Sequence, residues 1–493
     1  MSTLGDASRE AQAFPSPLFS PLTLRGVVLP NRLVLPAMVT RLSGEDGHVN
    51  DDIRARYVRF AKGGVGLIVV EAMAVHTAKS GPLLRISSDA FLPGLRDLAT
   101  RIHAAGPSKV VPQIIHFLKI SRSGWRQTVD MLSLEDIEQV VNDYADAALR
   151  ARAAGFDGVE LHMAHAYTLA SFLSRLNPRK DDYGGSLAGR LRLPLRVMRK
   201  VRERVGDDFM VGVRFVGDEC IRGGFTTLEA APIGIELARA GADYVSLSAG
   251  GKFEDARVIE GEPLYPYTGY SGDRCMPSSA YPDGTNLYIP EAVRNALRAA
   301  GLDTPVVAVG KIATRALAER VLLREQGDLV GMARALLADP DLPNKWRTDR
   351  EDTVVRCAYG NVCKALDESF RRVDCTLWPK RLGQAPESED RIAPEWSERG
   401  AELRAEFKGG RVLLHWKPAT DNEAVYGYQV FRAEATSTGG LLVHHASVRA
   451  VSTRYEDSRV VAGSVYRYAV RPYDLAGNRG ALSEAVTVSL GAG

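Results

Sequence analysis

Short, almost wholly apolar segments alternate with longer amphipathic segments from about residue 30 to residue 345. Strands buried on both faces have this apolar character, and the amphipathic stretches between them are typical of helices. Eight β-then-α units in succession predict an α/β fold, a closed (β/α)8 TIM barrel of parallel strands. The predicted strands are Leu33–Met38, Gly66–Glu71, Val110–His116, Asp157–His162, Phe209–Phe215, Asp243–Ser248, Pro305–Val309 and Asp328–Met332.

An open doubly wound sheet is the alternative arrangement of the same units. It is weakened because the first β–α turn lacks the G-x-G-x-x-G of dinucleotide-binding sheets. The stretches Ala153–Asp157 and Arg239–Asp243 each end a predicted helix with glycine and enter a predicted strand. This is the order that a barrel of repeated β-then-α units requires.

The composition changes near residue 380. Residues 380–394 are polar with scattered proline and glycine, which predicts a linker. Beyond it the helical period disappears, and short alternating segments separated by turn residues predict a β-sandwich of about 100 residues. We therefore expect a disordered N-terminus at 1–13, a barrel at 14–379, the linker, and a sandwich at 395–493. A linker of this kind also predicts that a cut after residue 379 leaves a folded barrel.

Charge and hydrophobicity exclude several classes of protein. The formal net charge is +3 without a long Lys or Arg run, so neither nucleic acid nor a membrane surface is expected as a partner. The longest apolar stretches are far shorter than the ~20 residues of a membrane span. The polar start, Met1–Ala13, lacks an apolar signal core. These features favour a cytoplasmic protein, and a homo-oligomer is left open.

Polar residues interrupt the predicted strands near their C-terminal ends or follow them directly. The working residues of (β/α)8 barrels gather at that end of the strands. A purely structural barrel has no reason to place such residues at one rim, so an enzyme with a small-molecule substrate is favoured. The residues are Gln113, His116, His162, His165, Tyr167, Arg214, Gly310, Lys311 and Arg334.

Five longer motifs run through the predicted barrel in order, namely Asn31–Met38, Gly63–Ile68, Gly155–His162, Asp182–Arg190 and Leu337–Pro343. Together they resemble the old yellow enzyme family across about residues 17–379. The resemblance implies bound FMN and reduction of an activated C=C bond, in an enone or a related acceptor. The electrons would come from NADH or NADPH.

The motif His162-x-x-His165-x-Tyr167 carries the catalytic roles that the resemblance implies. Hydride addition to an enone places negative charge on the carbonyl oxygen, and two imidazole donors aimed at that oxygen would stabilise it. A positioned phenol can supply the proton for the α-carbon, and this role falls to Tyr167. A pair of structural histidines is the alternative. A zinc site is disfavoured because no third ligand lies nearby.

The resemblance also implies a shell of residues around the flavin. Gln113 would bond the polar edge of the isoalloxazine. Arg214 would face its N1/C2 carbonyl, where a guanidinium stabilises the negative charge of reduced flavin. An ion pair between Arg214 and a carboxylate across the barrel is the alternative. The residues expected to line the ring are Pro36, Ala37, Met38 and Ala72.

The loops after the seventh and eighth predicted strands are the usual phosphate site of such barrels. Gly310 would let backbone N–H groups approach the phosphate of FMN, and Arg334 would grip it with two donors. Met332 stands beside them in the second loop. Glycine at a barrel turn is often merely steric, so the pairing with Arg334 carries this assignment.

Two positions depart from the family pattern. Val39 stands where the family has a small or polar residue next to the flavin, and it offers no hydrogen bond. The family's His-x-Gly-Arg phrase after the third strand is missing, and either Lys119 or Arg122 replaces its arginine. The long loop Lys252–Tyr288, rich in Tyr, Pro and Gly, is expected to shape the substrate pocket.

Five cysteines are an odd number at low density, which fits reduced thiols in a cytoplasm. Long members of the family carry four cysteines just after the barrel. Here Cys357, Cys363 and Cys375 occupy a similar stretch, and Gly360 stands where a further cysteine is expected. A [4Fe–4S] cluster normally needs four thiolates, so we expect neither an iron–sulfur cluster nor another metal.

The C-terminal segment resembles a fibronectin type III module, from about residue 394 to the end. The resemblance rests on Trp416, on Tyr428 in Gly-Tyr-Gln-Val, and on Tyr466 and Tyr468 in Tyr-Arg-Tyr-Ala-Val. Two alternatives to an ene-reductase remain open. One is a demethylating, amine dehydrogenase-like flavoenzyme, and the other is a catalytically idle barrel that serves as a binding protein.

Overall fold

The computed structural model describes residues 16–78, 81–119, 127–251, 272–378, 392–422, 424–434, 442–474 and 478–491. An antiparallel hairpin of β1 and β2 comes first, and eight parallel strands follow. The strands are β1 (Leu22–Leu24), β2 (Val27–Leu29), β3 (Leu33–Leu35), β4 (Leu67–Ala74), β5 (Lys109–Ile115), β6 (Gly158–Met163), β7 (Met210–Asp218), β8 (Tyr244–Ala249), β9 (Val306–Ala308) and β10 (Leu329–Gly331).

The eight strands β3 to β10 form a closed barrel, in which β10 pairs with both β9 and β3. This confirms the predicted (β/α)8 fold class. The hairpin closes the N-terminal end, because Leu24 and Leu29 pack with interior residues of the barrel such as Val34 and Met210. The opposite end, where the strands finish, is left for the polar residues that the sequence places there.

Helices cover the barrel strands. The helices are α1 (Asp51–Lys62), α2 (Leu92–Ala105), α3 (Leu134–Ala153), α4 (Thr168–Leu173), α5 (Leu187–Val205), α6 (Thr227–Arg239), α7 (Tyr288–Ala299), α8 (Arg315–Leu323), α9 (Ala333–Ala338), α10 (Leu342–Arg347) and α11 (Val362–Glu368). The start of α3 is fixed by a capping box, in which Ser133 and Asp136 each bond the other's backbone N–H. No helix in the described ranges is both long and apolar enough for a membrane span.

The C-terminal region folds into two antiparallel sheets. One sheet has the order β11-β12-β15 and the other the order β14-β13-β16-β17. Alternate residues of both sheets meet in one apolar core around Trp416 and Tyr428, whose hydroxyl accepts the Ala419 N–H at 3.0 Å. The strands are β11 (Arg404–Lys408), β12 (Arg411–His415), β13 (Val425–Glu434), β14 (Val443–Arg449), β15 (Arg454–Asp457), β16 (Val465–Asp474) and β17 (Val486–Ser489).

The chain divides into two compact units. The first comprises residues 1–61, 65–333 and 359–373, and the second comprises 62–64, 334–358 and 374–493. The C-terminal sheets therefore share a unit with α10 and its flanking segments. The predicted disordered N-terminus, residues 1–13, and most of the predicted linker lie outside the described residues.

Candidate active site

The end of β6 carries the two histidines of the H-x-x-H-x-Y motif. His162 is buried within the strand, and His165 follows in the turn that leads to α4. The Nε2 atom of His162 lies 3.2 Å from the Nδ1 atom of His165. The Nδ1 atom of His162 accepts the backbone N–H of Ala164 at 3.1 Å. Neutral His162 therefore carries its proton on Nε2, the atom that points at His165.

The turn after β6 has an unusual backbone conformation. His165 and Ala166 have φ angles of 57° and 56°, in the left-handed region that residues other than glycine rarely adopt. Gly251 pairs with His165 in an isolated parallel bridge, and a Cβ at Gly251 would lie 2.9 Å from the His165 Cα. Glycine at 251 thus lets the loop after β8 approach this turn. Backbone strain of this kind concentrates at functional sites.

Tyr167 is the N-cap residue of α4 and places its ring edge-on to His162, with 5.1 Å between the ring centroids. It also packs against an apolar cluster that contains Ala72 of β4, with Val39 among the partly buried neighbours. The structure therefore brings Tyr167 and His162 together with a residue of β4 and a residue of the loop after β3.

Arg214 lies on β7 as the register partner of His162. Its Nη1 donates to the carbonyl of Ala37 at 3.3 Å, so the guanidinium reaches the segment Pro36–Met38 that follows β3. Its Nε is buried and bonds no group in the described part of the chain. A buried donor without an acceptor is costly. The polar edge of a bound flavin would supply that acceptor, so these residues fit FMN.

Glu160 of β6 is a buried carboxylate that sequence reasoning missed. It accepts hydrogen bonds from Gln113 Nε2 at 2.7 Å and from the Tyr244 hydroxyl at 3.0 Å. Burial raises the pKa of Glu160, and Arg214 opposes that rise. The signal in the sequence was a charged residue inside the apolar run Gly158–Met163. Glu160 fixes the amide of Gln113, the residue predicted to bond the flavin.

The loops after β9 and β10 contain the residues predicted to hold the phosphate. Gly310 has a φ of 128°, and a Cβ there would lie 2.6 Å from the Cβ of Asn286. Met332 is buried, and its N–H donates to the carbonyl of Val34 at 3.0 Å. Arg334 is buried in the first turn of α9. Gly310 belongs to the first compact unit and Arg334 to the second.

His76 and His116 form an aromatic cluster with Phe117 beyond the ends of β4 and β5. The His76 ring centroid lies 4.4 Å from that of His116 and 4.2 Å from that of Phe117. Burial lowers the pKa of His76 to about 4 and that of His116 to about 3. Both imidazoles are therefore neutral at pH 7. His116 was predicted to lie at the rim, whereas His76 was not predicted.

The cysteines after the barrel are not gathered into a metal site in the ranges that the structure covers, where no group of three His, Cys, Asp or Glu converges. Cys357 and Cys375 pack beside an apolar cluster in the second unit, and Cys363 lies on α11. Arg122 and residues 252–271 of the tyrosine-rich loop lie outside the described residues.

Comparison with known proteins gives one family and several relatives. The model of the NADH:flavin oxidoreductase / NADH oxidase family matches residues 17–254 and 285–353. An NADH oxidase of Thermoanaerobacter brockii is 31% identical over 437 residues, which are 82% of this chain and 63% of that protein. A cinnamate reductase of Clostridium sporogenes is 29% identical over 402 residues, 73% of this chain and 57% of that protein.

A solved structure gives the same picture of the fold. Histamine dehydrogenase from Rhizobium sp. 4-9 matches with a TM-score of 0.61 and 26% identity, over 73% of this chain and 52% of that one. The chain thus spans between about half and two thirds of the length of these relatives. The matches confirm the resemblance that the barrel motifs indicated.

Proposed function

This chain belongs to the NADH:flavin oxidoreductase / NADH oxidase family, and on that premise we propose that it reduces an activated C=C bond with electrons from NADH or NADPH. The substrate class is an enone or a related acceptor whose carbonyl gains negative charge during reduction. The observation that carries the proposal is the convergence of His162 Nε2 and His165 Nδ1 beside the ring of Tyr167.

Bound FMN would supply the hydride for the β-carbon of the substrate. His162 and His165 hold the carbonyl oxygen and stabilise its growing negative charge through their ring N–H groups. Tyr167 gives its hydroxyl proton to the α-carbon, since phenols in general have a pKa of ~10 and are protonated at pH 7. The residues that would hold FMN are Arg214, Pro36, Ala37, Met38, Ala72, Gln113, Gly310, Met332 and Arg334.

Amine oxidation is the second candidate, since a histamine dehydrogenase is among the similar structures. An amine substrate offers no carbonyl oxygen on which negative charge develops. Two imidazoles and a phenol at one point therefore favour reduction of a polarised C=C bond over oxidation of an amine. A catalytically idle barrel would not require the strained turn that turns His165 back toward His162.

The test uses the purified full chain and its visible flavin absorption. We expect yellow protein whose flavin band bleaches with NADH or NADPH under argon and returns when 2-cyclohexenone is added. Histamine or dimethylglycine should leave the oxidised band unchanged. Bleaching by an amine but not by a nicotinamide would replace the proposal with amine oxidation. If the protein binds no FMN, the catalytically idle barrel would be the remaining candidate function.

We also propose that the C-terminal sheets form a fibronectin type III module in a cytoplasmic protein. The three-plus-four division of the strands and their shared core around Trp416 and Tyr428 support the first statement. The cysteine content supports the second, since five cysteines are an odd number at low density.

A further inference from the structure

We infer that Ser248 is a positioning residue that decides which ring nitrogen of His165 carries the proton, and so lets His165 donate to the substrate oxygen. The inference rests on the proposed function. Ser248 is buried at the end of β8, and its Oγ lies 2.7 Å from the Nε2 of His165. The opposite nitrogen of that ring, Nδ1, faces His162.

In the free site, the hydrogen bonds determine which ring nitrogen of each histidine carries the proton. Ala164 N–H donates to His162 Nδ1, so the proton of His162 is on Nε2 and points at His165 Nδ1. His165 must then accept on Nδ1 and carry its own proton on Nε2, where Ser248 Oγ accepts it. The Ser248 hydroxyl proton points to the thiol of Cys275, 4.0 Å away.

In this arrangement the two imidazoles cannot both donate a hydrogen bond to a substrate carbonyl. The two nitrogens that face the site are His162 Nε2 and His165 Nδ1, and in the free site only His162 Nε2 carries a proton. A second proton on the His165 ring is disfavoured, because burial, Arg214 and His162 hold the pKa of His165 well below its ordinary value. His165 becomes a donor on Nδ1 only by changing tautomer, so its Nε2 must then accept a hydrogen bond.

Ser248 meets both requirements because a hydroxyl accepts and donates. In the free site it accepts from His165 Nε2–H. When the site is filled, His165 releases its Nε2 proton to water and takes one proton from water on Nδ1, so the charge of the ring is unchanged. Ser248 then turns its own proton from Cys275 to Nε2, and His165 donates Nδ1–H to the oxygen. Alanine at 248 removes the donor that the occupied state needs, whereas threonine keeps the hydroxyl.

The test uses FMN-loaded full chain and 4-nitrophenol, whose phenolate is a stable stand-in for the substrate oxyanion and absorbs differently from the phenol. We expect the bound phenol to ionise at lower pH than the free phenol in the parent protein. Ser248→Ala should weaken phenolate binding about ten-fold, as expected for one lost hydrogen bond to a charge-bearing site. Ser248→Thr should restore most of it.

Ser171→Ala is the matched control, since the Ser171 hydroxyl bonds the Ala166 carbonyl of the same turn at 3.2 Å and not an imidazole. It should bind 4-nitrophenolate within about two-fold of the parent. An equal loss of phenolate affinity in Ser171→Ala and Ser248→Ala would show that the affinity depends on the rigidity of the turn and not on the tautomer of His165. That result would overturn the inference.

Nitrogen-15 spectra of histidine-labelled protein test the tautomer directly, since the chain has nine histidines. His165 should change from an Nε2–H to an Nδ1–H ring when 4-nitrophenolate binds, and Ser248→Ala should block this change. Phenolate binding by the parent with no dependence on Ser248 would overturn the inference and leave the proposed function intact. Failure of the parent to stabilise any phenolate would overturn both.

Discussion

At the scale of a single residue, Tyr167 separates the two halves of the proposed reaction. Flavin reduction by a nicotinamide needs no proton from a phenol, whereas protonation of the substrate α-carbon does. Tyr167→Phe keeps the ring that packs against His162 and the cluster around Ala72. We therefore expect reduction of FMN by NADH to stay near normal, and reoxidation by 2-cyclohexenone to slow by about 10²–10⁴-fold.

Stopped-flow measurement of both half-reactions decides the role of Tyr167. Equal reoxidation rates in the parent and in Tyr167→Phe would remove the hydroxyl from the mechanism. Slowing of both halves would instead indicate a displaced flavin, because both half-reactions depend on the position of the cofactor.

Arg334 is the residue on which retention of FMN is expected to depend. It is buried at the start of α9, and a guanidinium offers two parallel donors to a phosphate. Arg334→Ala should lower FMN affinity by at least ten-fold, and Arg334→Lys should restore only part of it. Equilibrium dialysis measures this, with exposed Arg347→Ala on α10 as the control. Full flavin in dialysed Arg334→Ala would contradict the phosphate assignment.

The sequence predicts a site residue more readily when the partners of that residue lie close to it along the chain. His162, His165 and Tyr167 were predicted as a group because one strand end holds all three. Ser248 and Glu160 were missed because their partners come from other strands. The Ser248 hydroxyl meets an imidazole 83 residues away in the chain. Only the closed register of the barrel brings such pairs together.

At the scale of elements, the sequence predicts each barrel strand but not its bounds, since β4 and β7 each run three residues beyond the predicted end. β3 ends at Leu35, three residues before the predicted end, since Pro36 has no N–H for the sheet. In the C-terminal region, the sequence indicates β11, β14 and β15 least clearly. They alternate partly buried with exposed charged or polar residues, a weak apolar signal.

The loop after β3 is held in place by a buried carboxylate on β4. Glu71 is fully buried, and its Oε2 accepts the Thr40 N–H at 3.1 Å and lies 3.3 Å from the Tyr57 hydroxyl of α1. Burial raises the pKa of Glu71 to about 7, although the bonds from Thr40 and the nearby charge of Arg56 oppose the shift. The loop that carries the predicted flavin contacts is thus anchored by a group that titrates near neutrality.

This anchor predicts a pH dependence of stability. The folded pKa of Glu71 lies above the ordinary carboxyl value, so ionisation costs folding free energy. The cost grows as pH rises from about 4.5 to about 7 and is constant above. Glu71→Gln cannot ionise, so its stability relative to the parent should rise by about 2–3 kcal/mol between pH 4.5 and 8. Urea unfolding followed by circular dichroism at both pH values measures this difference. Parallel pH profiles would contradict it, since all other titrating groups are shared.

At the scale of the whole molecule, the C-terminal sheets are packed into a compact unit with the segment 334–358. Tyr426 and Tyr473 bury Ala338, the last residue of α9, together with Val355. Asp352 is bonded by Gln429 Nε2 at 2.7 Å and paired with Arg479. The composition of residues 380–394 could not reveal these contacts, because they are made by residues on either side of that segment.

The linker composition predicts that a cut after residue 379 leaves a folded barrel, whereas this packing predicts that the cut also weakens it. The cut would expose Ala338 and Val355 and strip Asp352 of the two partners named above. Loss of such apolar cover costs about 2–5 kcal/mol in comparable large-to-small core substitutions. The end of α9 loses its packing, and the same helix carries Arg334, so we expect a lower melting temperature and at least ten-fold weaker FMN binding. Tyr473→Ala in the full chain should show part of both effects, whereas exposed Val451→Ala should show neither. A truncated chain that melts and binds FMN like the parent would show that the sheets are dispensable, and that α9 keeps Arg334 in place without their cover.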